Sequence, residues 1–152
     1  MKLFLLTGLI FGIYFSANSQ HANPTTEVEK LKKVLLDYFE GIKNRDTNKM
    51  IEVTTQDFVA YEEGKVYNND SVFRDMKKLP YISANFKFDN FKVNVDKLLG
   101  TMYYSENAVF VINDSTKYDL NFLGSAAFVK KDGSWKMNFL HSTKKYFKKN
   151  KK

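Results

Sequence analysis

The chain has 152 residues, 43% of them hydrophobic and 16% aromatic, with a formal net charge of +7. It contains no cysteine, which excludes disulfides and thiolate chemistry and leaves side-chain packing to hold the fold. The basic excess is concentrated in Lys144, Lys145, Lys148, Lys149, Lys151 and Lys152, so the charge describes a solvated tail with at most weak attraction to anionic surfaces and argues against nucleic acid as a partner.

Met1-Lys2, the apolar run from Leu3 to Phe15, and the small residues Ala17 and Ser19 have the organisation of a signal peptide over residues 1–19, cleaved between Ser19 and Gln20. The run falls short of the roughly 20 residues that span a bilayer. A secreted or periplasmic protein is therefore expected, with about 130 residues left for one domain. Residues 20–26, polar and containing Pro24, read as a flexible leader in which His21 has no role. The domain is expected over 27–143 and the basic tail over 144–152.

Leu31, Val34, Leu35, Tyr38, Phe39 and Ile42 recur at helical spacing, so an amphipathic helix is predicted from Glu27 to Asn44, capped by Thr25 or Thr26. A short second helix follows Asp46-Thr47. Strands are predicted at Asp57–Tyr61 and Lys65–Tyr67 around the turn Glu62-Glu63-Gly64. Asn69-Asp70-Ser71 then caps a third helix that ends at Pro80.

Beyond Pro80 the pattern becomes period two. Phe86 and Phe88 have one parity and Phe91, Val93 and Val95 the other, which predicts a β-bulge near Asp89-Asn90. Met102, Tyr104, Glu106, Ala108, Phe110 and Ile112 share one face of the next strand. Asn113-Asp114-Ser115 forms a turn, Tyr118 to Phe128 a long strand, and Lys131-Asp132-Gly133 leads into a closing strand with Trp135, Met137, Phe139 and His141 on one face. Asn69 and Asn113 both begin glycosylation sequons, yet their places suit a cap and a turn first. The layout is α+β, three helices on one face of a bent antiparallel sheet.

Tyr38-Phe39-Glu40-Gly41-Ile42-Lys43-Asn44-Arg45-Asp46, Asp57-Phe58-Val59 with Glu63-Gly64-Lys65-Val66, and Trp135-Lys136-Met137 with His141-Ser142 resemble the nuclear-transport-factor-2-like superfamily. This is the cone-shaped fold shared by ketosteroid isomerases, scytalone dehydratase and the SnoaL-like cyclases. The resemblance covers about Glu27 to Thr143 and implies helices on the concave face of the sheet. It also implies that Tyr38 stands at the pocket tyrosine of the isomerases and Glu62, or Tyr61 one residue away, near their base. Ala126 stands where the isomerases carry the acid that completes the oxyanion hole, a departure from steroid-type chemistry. The third helix argues against the rival cystatin-like arrangement.

Each candidate has two readings. Tyr38 could donate to a ligand oxygen or be a core tyrosine. His141 could be a general base or a rim histidine satisfied locally. Glu106 could be a desolvated carboxylate, although a bulge that turns it outward is expected. Glu62 and Glu63 suit a solvated turn as well as a base.

The leading expectation is an aromatic cavity formed by Tyr38, Tyr61, Tyr104, Glu106, Phe122, Trp135, Phe139 and His141. It would bind a small apolar molecule without transforming it. One alternative is an isomerase, dehydratase or cyclase using His141 or Glu62 with Tyr38. Another is a homodimeric interaction module joined through Val93, Val95, Val109, Val111, Leu123, Val129 and Leu140 on the convex sheet face. With a lone histidine in the domain and no clustered carboxylates, no metal or cofactor is expected.

Overall fold

The computed structural model describes residues 24–79, 81, 83–113 and 115–146. The expected signal segment at 1–19, His21, Pro80, Asp114 and residues 147–152 lie outside them.

Helix α1 runs Pro24–Asn44 and buries Leu31, Val34, Leu35, Tyr38 and Phe39, the stripe that its periodicity predicts. It begins in the expected leader, because a proline opening a helix surrenders no intrahelical hydrogen bond. Thr25 and Thr26 therefore lie in its first turn and not ahead of it. Arg45, at φ 54°, ends the helix, and Asp46 caps α2 (Thr47–Val53) by accepting from the Lys49 amide at 3.1 Å. Gly41 lets the two helices approach: a Cβ there would lie 2.7 Å from Met50 Cγ.

Strand β1 (Thr54–Glu62) turns through Glu63 and Gly64, both at positive φ, into β2 (Lys65–Tyr67). Helix α3 (Asn69–Lys78) is capped by Asn68, one residue earlier than expected, in a reciprocal capping box with Ser71. Asn69 instead donates to Thr54 Oγ1 at 2.6 Å. Strands β3 (Ser83–Val95), β4 (Leu99–Asn113), β5 (Thr116–Lys131) and β6 (Ser134–Lys144) follow as hairpins. Lys144 thus belongs to the sheet and not to the tail.

The strand order is β2-β1-β6-β5-β4-β3. After β2 the chain crosses by α3 to the far edge and meanders back. β6 consequently lies parallel to β1, and the sheet is mixed where a wholly antiparallel one was expected.

Two bulges set which side chains face the helices. The first lies between Asp89 and Lys92, with Asn90 at φ 55°. By adding one residue it returns Phe91, Val93 and Val95 to the side of Phe86 and Phe88, where all five pack on the core. Val93 and Val95 are therefore not on the convex face. The second bulge leaves Asn138 unmatched, since Ala127 pairs with Phe139 and Phe128 with Met137. Trp135 and Met137 face the helices, but beyond Asn138 that role passes to Leu140 and Ser142. Phe139 and His141 turn to the outer face, contrary to the simple alternation, and Leu140 leaves it.

At the narrow end Glu27 ties α1 to the sheet. Its Oε2 accepts from Trp135 Nε1 at 2.6 Å and Lys130 Nζ at 2.9 Å, and its Oε1 from Lys30 Nζ at 2.8 Å. The hydrogen bond from Lys30, followed by those from Lys130 and Trp135, holds the Glu27 carboxyl down at about 2 against the effect of burial.

Candidate functional site

At the wide end, α1, α3 and the inner face of the sheet leave an open hollow of about 900 Å³. Its walls include Phe39 and Ile42 from α1, Met76 from α3, and Phe86, Phe110 and Phe122 from the sheet. Within this apolar lining stand Tyr38, Glu62, Glu106 and Ser142, while Glu63, Lys65, Asp75, Lys78 and Lys144 also border it. Lys65 and Lys78 are exposed and Lys144 is half-buried, which places these basic side chains at the rim.

Glu106 occupies an unbroken stretch of β4, paired with Phe88 on one side and Phe122 on the other. Tyr104, Glu106 and Ala108 are buried at alternate positions, so no bulge turns Glu106 outward as expected. It is 6% exposed and accepts no hydrogen bond from the described residues, and its oxygens are not among the fully buried atoms that lack a partner, so they reach the open hollow. Removal from water, reinforced by the charge of Glu62, raises its carboxyl to about 8.

Glu62 ends β1 opposite Ser142, which lies opposite Gly124, which in turn lies opposite Tyr104. These residues form one row across four strands. A Cβ on Gly124 would overlap the Tyr104 ring, so this glycine provides the space that the ring fills. Tyr104, packed against Phe88 at 5.6 Å and Phe91 at 6.2 Å between ring centres, lies beneath the floor of the hollow and does not line it. Glu62 stands at the mouth and is exposed. Desolvation of its carboxyl, then repulsion from Glu63, raises its pKa against the opposing effect of Lys144.

The Tyr38 ring is held by Phe58 at 5.3 Å and Phe39 at 5.8 Å. The hydroxyls of Tyr38 and Tyr104 are both buried without a hydrogen-bond partner among the described residues. Burial raises both phenols. Glu62 adds to the shift at Tyr38, and Glu106, Tyr38 and Glu62 add to it at Tyr104. The four groups therefore share one electrostatic neighbourhood.

The structure brings together Tyr38, Glu62, Glu106 and Phe122 of the residues expected from sequence, with Tyr104 just below. Tyr61, 48% exposed, touches only the edge of the hollow and stacks edge-on with Phe139 at 5.3 Å. His141 pairs with Tyr61 and Ser125 on the outer face, where it does not line the hollow. Trp135 lies at the opposite end, bound to Glu27. Ala126, opposite Met102 and Leu140, is buried in the core, and the inward carboxyl of the floor is Glu106. Leu140 and Ser142 replace Phe139 and His141 in the lining; only the register at Asn138 reveals them. Among the described residues no group of three or more histidine and acidic side chains is arranged to hold a metal ion.

A cone of three helices against a bent six-stranded mixed sheet, hollow at its wide end, defines a class of fold found in many solved structures. The chain has the nuclear-transport-factor-2-like fold. It is similar to a nuclear transport factor 2-like superfamily protein from Salmonella enterica, with a TM-score of 0.73, 9% identity, and 84% of this chain and 97% of that one covered. It is also similar to the hexachlorocyclohexane dehydrochlorinase LinA-type3 from Novosphingobium barchaimii, at 0.70 and 12% identity over 81% of this chain and 89% of that one. A Nostoc punctiforme protein of unknown function with a cystatin-like fold superposes at 0.68 and 9% identity, with 79% and 92% covered. At such identities the likeness shows the fold alone. By sequence, neither a protein-family profile nor a curated protein matches the chain.

Proposed function

We propose that the hollow binds a small, mainly apolar molecule carrying one polar group, which Tyr38 and Glu106 meet inside and Glu62 meets at the mouth. The observation that carries this reading is the pairing, in an apolar wall, of Glu106, a carboxyl 6% exposed, with the Tyr38 hydroxyl, buried without a hydrogen-bond partner among the described residues. A buried hydroxyl without a partner costs about 1–3 kcal/mol, a cost that an occupant would relieve at Tyr38. Heat stability with a broad panel of lipophiles and metabolites tests it, since a ligand at a hundredfold excess over Kd adds about 2.7 kcal/mol. Absence of any gain across the panel removes the reading.

A second reading, acid–base elimination or isomerisation, is favoured by the unlike settings of the two carboxyls. Glu106 is buried in the apolar wall and holds its proton to about pH 8, whereas Glu62 is exposed at the mouth near Lys144. Such a division suits Glu62 as base, Glu106 as acid and Tyr38 as hydrogen-bond donor. The neighbour named a dehydrochlorinase supports the reading by fold analogy. Under it, Glu62→Gln abolishes any turnover found and His141→Ala preserves it; the reverse result would reject this assignment. The signal-like residues 1–19 support an exported setting, tested by N-terminal sequencing of secreted protein for a start at Gln20.

A further inference from the structure

We infer that the polar group of the occupant is an amine, held as its cation between Glu62 and Glu106. This rests on the reading of the hollow as a binding site. Among the described residues Glu106 is the buried carboxyl of the lining, Glu62 is an exposed carboxyl at the mouth of the same hollow, and the basic side chains that reach it stand at the rim.

A carboxyl buried in an apolar wall, with a second carboxyl at the mouth of the same hollow, ionises poorly without a compensating positive charge. Lys78 is engaged with Asp75 at 3.5 Å, and Lys144 acts on Glu62, not on Glu106. A neutral alcohol or ketone would hydrogen-bond Tyr38 and the protonated Glu106 but gain nothing from the charge of Glu62. A carboxylate would add a third negative group. An ammonium offers donors to Glu62, Glu106 and the unpartnered Tyr38 oxygen, and its charge lets both glutamates ionise. The rings of Phe86, Phe110 and Phe122 accommodate the attached apolar body and present faces that attract a cation.

Calorimetric titration of the purified protein with 4-phenylbutylamine, 4-phenylbutan-1-ol and 4-phenylbutyrate tests the inference. The amine should bind about tenfold or more tightly than the alcohol, with the carboxylate weakest. At pH 7 amine binding should release close to one proton, seen as a dependence of the heat on the buffer's ionisation enthalpy, as Glu106 ionises. The charge that acts on Glu106 is that of Glu62 from β1; the other titratable groups around it include Tyr104 on its own strand and, on the same hollow, Tyr38 from α1, Glu63, Lys65 and Tyr67 around the β1–β2 turn, Asp75 and Lys78 from α3, Tyr118 from β5 and Lys144 from β6.

Glu106→Gln, which keeps the side chain's shape, should weaken the amine about tenfold and abolish the proton release while leaving the alcohol within about threefold. Glu62→Gln provides the same comparison at the mouth. Equal affinity for amine and alcohol, or equal losses for both in these variants, overturns the amine assignment but leaves the binding reading standing. Failure of all three probes, together with a flat stability panel, overturns both.

Discussion

Glu106→Gln should leave stability nearly unchanged at pH 5 and raise it relative to the natural chain as the pH climbs to 9. The Glu106 carboxyl sits at about 8 in the folded protein against an ordinary 4.5. Between those values the folded state keeps a proton that the unfolded state has lost, so the natural protein loses stability as pH rises, by about 1.4 kcal/mol per pH unit. Across the whole interval the loss approaches about 5 kcal/mol as an upper bound, which water entering the open hollow reduces to about 2 kcal/mol. Glutamine carries no such proton. Glu62 is present in both proteins, and the Glu27 carboxyl, held near 2, withdraws its support only as pH falls below 4.5. For a domain of this size about 2 kcal/mol is roughly 6 °C in Tm. Urea denaturation and thermal melts of both proteins at pH 5, 6, 7, 8 and 9 measure the divergence. Parallel curves would refute the buried, inward Glu106.

Gly124→Ala should cost about 1–3 kcal/mol in chemical denaturation, because the new Cβ overlaps the Tyr104 ring; an unchanged midpoint would mean that the ring yields freely. Trp135→Phe removes the donor to Glu27 Oε2 at the narrow end and should lower stability by about 1.5–3 kcal/mol without changing affinity for any occupant of the hollow. Ser142→Leu should fill part of the hollow and reduce ligand-induced stabilisation at least about tenfold in affinity, whereas His141→Ala, on the outer face, should leave it intact. Equal effects of these last two variants in a thermal-shift titration would reverse the assignment of faces in β6.

The architecture was legible because its determinants are local. The 3.6-residue stripe of α1, the capping residue of α2, the Glu63-Gly64 turn and the change of period after Pro80 each appear in a window of a few residues. The bulge at Asp89–Lys92 was legible too, since it breaks the parity of a run of aromatic and β-branched residues. Its consequence for Val93 and Val95 follows only when the added residue is counted through the strand. The bulge at Asn138 was not legible, because Trp135, Met137, Phe139 and His141 alternate without a flaw in sequence. Pairing with β5 and parallel pairing with β1 decide that half of β6 reverses, and both are contacts with distant segments. Glu106 was misjudged for a related reason. Its charge argued for an outward turn, but an unbroken ladder with Phe88 and Phe122 holds it in, and the cost of burial is met by keeping the carboxyl protonated. Gly124 was the unused clue: a glycine within a long apolar strand signals a close neighbour, here the Tyr104 ring.

The most direct measurement is a titration of the glutamate side-chain carboxyl carbons by NMR in protein labelled at that carbon. The account predicts one resonance with a midpoint near pH 8 that vanishes in Glu106→Gln, and a second raised above the ordinary range that belongs to Glu62. A spectrum in which every glutamate titrates at or below 4.5 would contradict it.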